Sequence, residues 1–376
     1  MKHRDRVLKT INLEEADRIP LDLGSVAGLI VDPVYFELLD LLGFDRSVRP
    51  YRSGSTANYY DERLLERFDI DFRHIWLDSP DKPKSIKHDD GSVTDMWDIT
   101  WSPEGSWPVV FPLKGKSAQE ISAHKWPDLK SWNTDAIKAR ARHLFEDTDY
   151  AVVAKAVFDG AGILERCYYL RSIDEFFIDM MENEDLVQFM LDKICDIEIQ
   201  MWDMFLDAVG PYVQIVQRAS DLGTQTGLFI SPALFQKYLK PAEERVFRFI
   251  KSKAPHVKFW FHACGAIEPL INDFIELGVD VLNPVQPLAT GMESNDLKKK
   301  YGNRLCFHGG IDIQRALPGS LEDVREEVRN RVSAFAPGGG YILAAANHIQ
   351  KDTPPENIAE LYDYACEYGT YPIQNG

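Results

Sequence analysis

From about residue 150 the chain alternates short apolar, β-branched runs with longer amphipathic segments. AVVAKAVF (151–158) leads into SIDEFFIDMMENEDLVQFMLDKICDIEIQMWDMFLDAV (172–209), a helical stretch. VQIVQRASD (213–221) precedes SPALFQKYLKPAEERVFRFIKSKA (231–254), where Ser231 predicts an N-cap and Pro232 the first helical residue. VKFWFHACG (257–265) precedes AIEPLINDFIELG, which Gly278 is expected to stop. VDVLNPVQ (279–286) precedes ESNDLKKKYG, LCFHGGID (305–312) precedes SLEDVREEVRNRVSAFA, and GYILAAANHI (340–349) precedes PPENIAELYDYACEYG. A strand followed each time by a helix implies parallel strands joined by crossover helices.

Two further strands are expected upstream, RIPLDLG (18–24) and IDFRHIWLD (70–78), with helical VDPVYFELLDLLG between them. The series then numbers eight, which predicts an α/β fold of the distorted (β/α)8 barrel type. An open doubly wound sheet is the alternative, but no strand runs into a G-x-G-x-x-G turn. Residues 86–112 break the alternation. Asp90-Gly91 is a hairpin signal flanked by Thr94, Trp97, Ile99 and Trp101, so a β-rich excursion is expected over one mouth of the barrel. No linker-like tract divides the chain, and residues 1–376 read as a single domain.

Composition narrows the class. The 376 residues are 45% hydrophobic and 27% charged, an ordinary globular balance, and the net charge of −17 argues against nucleic acid. No apolar run is long enough to span a bilayer, and the charged N-terminus lacks a signal-peptide core. The five cysteines are scattered and odd in number, which suggests reduced thiols and a cytoplasmic location. A homodimer is compatible with this composition but leaves no mark in a single chain.

In such a barrel the chemistry gathers where the strands end. The polar residues there are Asp78; Asp159, Glu165 and Arg166; Ser220, Asp221, Thr224 and Gln225; His262 and Cys264; Asn283 and Gln286; His308 and Asp312; and Asn347 and His348. His262 and Cys264 lie two apart, on one side of an extended strand, and imidazole with thiolate suits Zn²⁺ better than Mg²⁺ or Ca²⁺. On spacing alone, a core cysteine beside a structural histidine fits equally well. Catalytic zinc takes three protein ligands, and the third is sought among His348, His308, Glu165 and Asp221, with His348 favoured.

Much of the chain, most clearly 210–360, resembles the uroporphyrinogen decarboxylase superfamily. The resembling pieces are SDLGTQTGLFISPALFQKYLKP, FHACGAIEPLINDFIELGVDVLNPVQP, LCFHGGID and ILAAANHIQKDTPPENI. The resemblance implies a distorted (β/α)8 barrel with its cleft at the C-terminal mouth. Decarboxylases of this superfamily carry R-Q-A-G-R near the N-terminus and G-H-G near the end. Here those places read RIPLDLGSVAGLIVDP and ANHI.

The superfamily's zinc-dependent methyltransferases carry H-x-C, matched by His262 and Cys264. Their third ligand is a cysteine before T-P-x-E-N. That block is Thr353–Asn357 here, and Asn347 stands where the cysteine would be, with His348 adjacent.

The resemblance therefore implies a zinc-dependent methyltransferase that exchanges a methyl group with a corrinoid. The chain has no D-x-H-x-x-G, so the corrinoid would be carried by a partner protein. In this reading His262, Cys264, and His348 or Glu165 hold the metal. Asp221, Gln225 and Asp78 serve the chemistry, while Asn283, Gln286, His308 and Asn347 bind the small methyl donor or acceptor. A metal-independent carboxy-lyase acting on another acid, and a binding protein without catalysis, are the other two readings.

Overall fold

The computed structural model describes residues 1–373 apart from 53–54, 106, 128, 130–131 and 159, so Asp159 lies outside the described residues. Its main sheet has seven parallel strands: β1 (Phe72–Ile75), β6 (Ala151–Ala154), β7 (Ile215–Ala219), β8 (Lys258–His262), β9 (Val281–Val285), β10 (Cys306–Ile311) and β11 (Tyr341–Ala345). They pair in that order. The excursion supplies the missing numbers: β2 (Ile86–Lys87), β3 (Val93–Thr94), β4 (Thr100–Trp101) and β5 (Pro108–Val110) form a separate antiparallel sheet.

The expected first strand, 18–24, differs from the other seven. It makes a single parallel bridge, Leu21 with Leu343, instead of a ladder. Even so it spans the seam. Asp22 N donates to Leu343 O at 3.0 Å, and Asp71 N donates to Leu21 O at 3.0 Å. The result is a distorted barrel whose sheet is open along one side and bridged there by this segment. Asp71 anchors it, accepting from Leu21 N at 2.8 Å, Arg6 Nη1 at 2.6 Å and Arg18 Nη1 at 2.9 Å. A buried carboxylate with that many donors replaces part of the lost strand pairing.

The strand residues face two ways, and both faces are buried. Inward, Phe72, Val153, Ile215, Trp260, Val281, Cys306 and Ile342 fill the barrel, and Val7 and Ile11 of the helix His3–Ile11 close its lower end. Each such large apolar side chain contributes about 1.5–3 kcal/mol through burial. Outward, Arg218 of β7 lies under the helices Glu184–Val209 and Lys240–Lys253, paired with Glu198 and Glu243.

Local signals mostly act as expected. Ser231 caps Leu234 N at 3.2 Å, and Gly278 ends its helix at φ +92°. The segment 231–254 is not one regular helix, however: a π-turn at Phe235–Leu239 precedes Lys240–Lys253. Pro241 has no N–H for the preceding turn and its ring crowds that turn's carbonyl, so the turn widens. The stretch 172–209 likewise divides at Asn183 (φ −139°, ψ 68°) into two helices. The excursion packs on the loop and helix after β6: Trp97 on Phe158 of the loop, Trp101 on Tyr169 of the helix, and Arg166 of the helix over Trp97 at 4.7 Å.

Candidate metal centre

Parallel register decides which residues meet at the mouth. Ala219 lies opposite His262, and His262 opposite Asn283, so the ends of β7, β8 and β9 are level. His262 closes β8 and Cys264 follows in the loop. Its Sγ lies 3.3 Å from His262 Nε2. From the loop after β7, Asp221 brings Oδ1 to 3.4 Å of the same nitrogen. One ligand atom from each of Asp221, His262 and Cys264 falls within 4.8 Å of the others.

Two glycines permit this approach. Gly265 has φ +87°, and a Cβ there would lie 2.5 Å from Gly223 C and Thr224 O. At Gly223, a Cβ would lie 2.7 Å from Cys264 O. Backbone therefore meets backbone where side chains would separate Asp221 from Cys264. Ala266 N donates to Thr224 O at 2.7 Å and closes the contact.

The donor set fits zinc. A tetrahedral shell with N, S and O bonds of about 2.0–2.3 Å has edges of roughly 3.3–3.6 Å. The two separations from His262 Nε2, 3.3 Å to Cys264 Sγ and 3.4 Å to Asp221 Oδ1, are close to those edges. Asp221 is half-exposed, but its Oδ1 is shielded from solvent and makes only the 3.4 Å contact with His262 Nε2, which leaves it capacity to accept a cation. His262 Nδ1 is 2.6 Å from Asn283 Oδ1, so Nδ1 holds its proton there and Nε2 is the nitrogen that a metal could take, facing Cys264 and Asp221.

Charge tells the same story. Burial alone would drive the proton off His262, but Cys264 and Asp221 outweigh it and raise the imidazole well above its ordinary range. Burial raises the Cys264 thiol, partly countered by His262. A cluster that retains a proton against burial is a cluster suited to a positive ion.

Glu165 stands one step behind. Burial, then the Asp221 charge, push its pKa up to about 8. Its Oε1 accepts from Asp221 N, and Oε2 accepts from Gly162 N at 2.9 Å and Ser220 Oγ at 3.1 Å. Those bonds fix the backbone of Asp221 and occupy the carboxyl group, so Glu165 stays out of the three-residue group.

His348, the favoured third ligand, is also outside that group. Its Nδ1 accepts from Leu29 N at 3.0 Å, and burial, followed by the charges of Arg52 and Lys155, pushes its pKa down to about 3. Asn347, in the cysteine's aligned place, donates from Nδ2 to Cys264 Sγ at 3.7 Å and so steadies the thiol.

The other expected site residues divide between cleft and interior. Gln225, Gln286 and Asn347 line a cleft beside the three-residue group, together with Pro287, Leu288 and Asp312–Gln314. Gln286 Oε1 also accepts from Gly265 N at 2.9 Å. Asp78 is exposed, and its Oδ1 accepts from the next backbone N–H, Ser79 N, at 2.9 Å. Asn283 and His308, expected at the substrate, are 1% and 0% exposed and bond to each other at 2.6 Å. They lie under the mouth, not in it. Sequence reasoning missed Asp22 and His74, which complete that buried polar layer. Each sits in a predicted strand, but nothing in its own segment names a partner.

These features define a class, a distorted (β/α)8-type barrel with a mixed N, S and O cluster at its C-terminal mouth. The uroporphyrinogen decarboxylase (URO-D) family model matches residues 104–368, and the chain belongs to that family. The uroporphyrinogen decarboxylase of Nostoc punctiforme is 22% identical over 146 residues, 39% of each chain. That of Bordetella petrii is 33% identical over 73 residues, 19% of this chain and 20% of its own. The matched stretches thus span well under half of these relatives. Among solved structures, a methyltransferase from Methanosarcina mazei superposes with a TM-score of 0.65 at 15% identity, covering 98% of this chain and 99% of that one, a likeness of fold. No helix among the described residues is long and apolar enough to cross a membrane.

Proposed function

We propose that this protein is a zinc-dependent methyltransferase that exchanges a methyl group between a small substrate or thiol and a corrinoid carried on a partner protein. The supporting observation is the convergence of His262 Nε2, Cys264 Sγ and an Asp221 oxygen within 4.8 Å, with Asn283 orienting the imidazole. Asp221 takes the place that the sequence assigned to His348 or Glu165. Bound there, zinc supplies Lewis acidity, which keeps an acceptor thiol ionised at neutral pH or polarises the oxygen of a methoxy group.

The chain's own residues do the rest. Asn347 holds the Cys264 sulfur, and Glu165 fixes Asp221. Gln225 and Gln286 line the cleft in which the methyl donor or acceptor would lie. His262, Cys264 and Asp221 would hold the metal from one side, and the cleft lies beside them.

Metal analysis of the purified protein tests the reading. Roughly one zinc per chain is expected, with most of it lost in Cys264→Ser and in Asp221→Asn. Methyl transfer to or from a supplied corrinoid should fall with it. A protein that binds no zinc, or a Cys264→Ser variant that retains it, overturns the proposal and favours a metal-independent carboxy-lyase.

A further inference from the structure

Beneath the mouth a line of buried hydrogen bonds crosses the barrel from the three-residue group to the seam. Asn283 Oδ1 is 2.6 Å from His262 Nδ1, and Asn283 Nδ2 is 2.6 Å from His308 Nδ1. His308 Nε2 is 3.1 Å from Asp22 Oδ2, and Asp22 Oδ1 is 2.8 Å from His74 Nε2. Asp22, His74 and His308 are all 0% exposed. Asp22 is held in place by its backbone N, bonded to Leu343 O, and by Tyr362 Oη, which donates to Asp22 O at 3.1 Å.

The line has only one consistent polarity. An ionised carboxylate accepts and cannot donate. Burial opposes that ionisation, but His74 and His308 hold Asp22 well below the usual carboxylate range. His308 must therefore carry its proton on Nε2, which makes its Nδ1 an acceptor. That acceptor turns the Asn283 amide so that NH₂ faces His308 and oxygen faces His262. The oxygen in turn requires a proton on His262 Nδ1, so Nε2 is the nitrogen whose proton a metal would displace.

The reversed amide would put a proton on His262 Nε2 and two acceptors, His308 Nε2 and Asp22, against each other. Burial penalises that arrangement.

We propose that Asp22, acting through His308 and Asn283, is the positioning residue that sets the tautomer of His262 and so makes its Nε2 a metal ligand. The role rests on the zinc reading above. It places the determinant of metal affinity in the segment that bridges the barrel's seam, three hydrogen bonds from the ligand it serves.

Two substitutions at His308 separate this role from packing. His308 also lies against Trp260, with ring centroids 4.1 Å apart, so a filler of the space could be all it is. Gln accepts at Oε1 and donates at Nε2, reproducing both ends of the link, whereas Phe reproduces the ring and neither bond. Zinc affinity is measured by chelator competition on folded protein.

The expected result is a loss of about 10- to 100-fold in His308→Phe, as for other outer-shell partners of a metal ligand, and near-native affinity in His308→Gln. Equal affinities in the two variants, or the opposite order, overturn the proposal. The ¹⁵N imidazole signals of His308 in metal-free wild-type protein give a second readout that needs no variant to fold. An Nε2–H tautomer is expected, and an Nδ1–H tautomer overturns the line alone. Failure of the wild type to bind zinc overturns the metal reading instead.

Discussion

Strand β7 and the loop that follows it carry two polar clusters, one buried at Arg218 and one at the half-exposed Asp221, and they are built on opposite principles. Arg218 faces outward, and its donors are spent on carboxylates: Nε on Glu198 Oε1 at 2.9 Å, Nη2 on both Glu198 oxygens at 2.7 and 2.6 Å, and Nη1 on Glu243. Asp221, at the mouth, leaves Oδ1 without a hydrogen-bond partner beside an imidazole and a thiol. The first cluster closes on itself. The second is complete only with something added. Since buried polar groups are normally satisfied, the unsatisfied cluster is the one to read as a site, and the satisfied one as architecture.

The largest effect that could break this contrast is at Arg218. Arg218→Met strands Glu198 and Glu243 together in a buried place, where burial and the Glu198 charge already outweigh Arg218 and push Glu243 up to about 7. Removing one partner of a buried pair costs about 3–5 kcal/mol. Denaturant unfolding should show that loss while zinc per folded chain is unchanged. Loss of zinc without loss of stability would mean that the clusters are not separable.

The converse variant is Gly265→Ala. Positive φ and a Cβ against the backbone of Gly223 and Thr224 together cost about 2–4 kcal/mol unless the loops part. Parting the loops moves Cys264 away from Asp221. Zinc affinity should therefore fall more, relative to stability, than in Arg218→Met. A Gly265→Ala protein with native zinc affinity would show that the close approach of the two loops is not what assembles the cluster.

How much of this was legible beforehand follows from the range of each interaction. Strands β1 and β6 to β11 were visible because an apolar, β-branched run is a local property, and so was the Asp90-Gly91 excursion. The segment 18–24 looked the same locally. It forms isolated bridges in place of a ladder, and its Leu21 N goes to the side chain of Asp71, fifty residues away.

His262 and Cys264 were legible as a pair because they are two residues apart. Their third companion was not, since Glu165, Asp221 and His348 are equivalent as letters at strand ends. What separates them is how their polar atoms are already committed: Glu165 accepts from Asp221 N, Gly162 N and Ser220 Oγ, and His348 Nδ1 accepts from Leu29 N, which leaves the imidazole proton on Nε2. Asp22 was invisible for the same reason, being defined by His74 and His308, 52 and 286 residues away.

His348 sharpens the comparison with the smallest effect. It lies at the open mouth but is bonded like a member of the closed cluster, through Nδ1 to Leu29 N. Its folded pKa of about 3 lies below the ordinary value of 6.5, so the unfolded chain takes up this proton first as pH falls. The stability it contributes is thus fully present above pH 6.5 and is lost as pH falls from there towards 3. The slope is at most about 1.4 kcal/mol per pH unit for one proton.

His348→Asn keeps an acceptor for Leu29 N and removes the titration. Melting curves of the metal-free variant between pH 7 and 4 should be flatter than wild type by that amount, with zinc binding at pH 7 within about threefold of wild type, far from the loss that removal of a ligand brings. An unchanged pH slope with zinc lost would return His348 to the metal and place it on the open side of the contrast. A flattened slope with zinc retained leaves Asp221 as the third ligand and His348 as the fastening that ties the loop after β11 to Leu29.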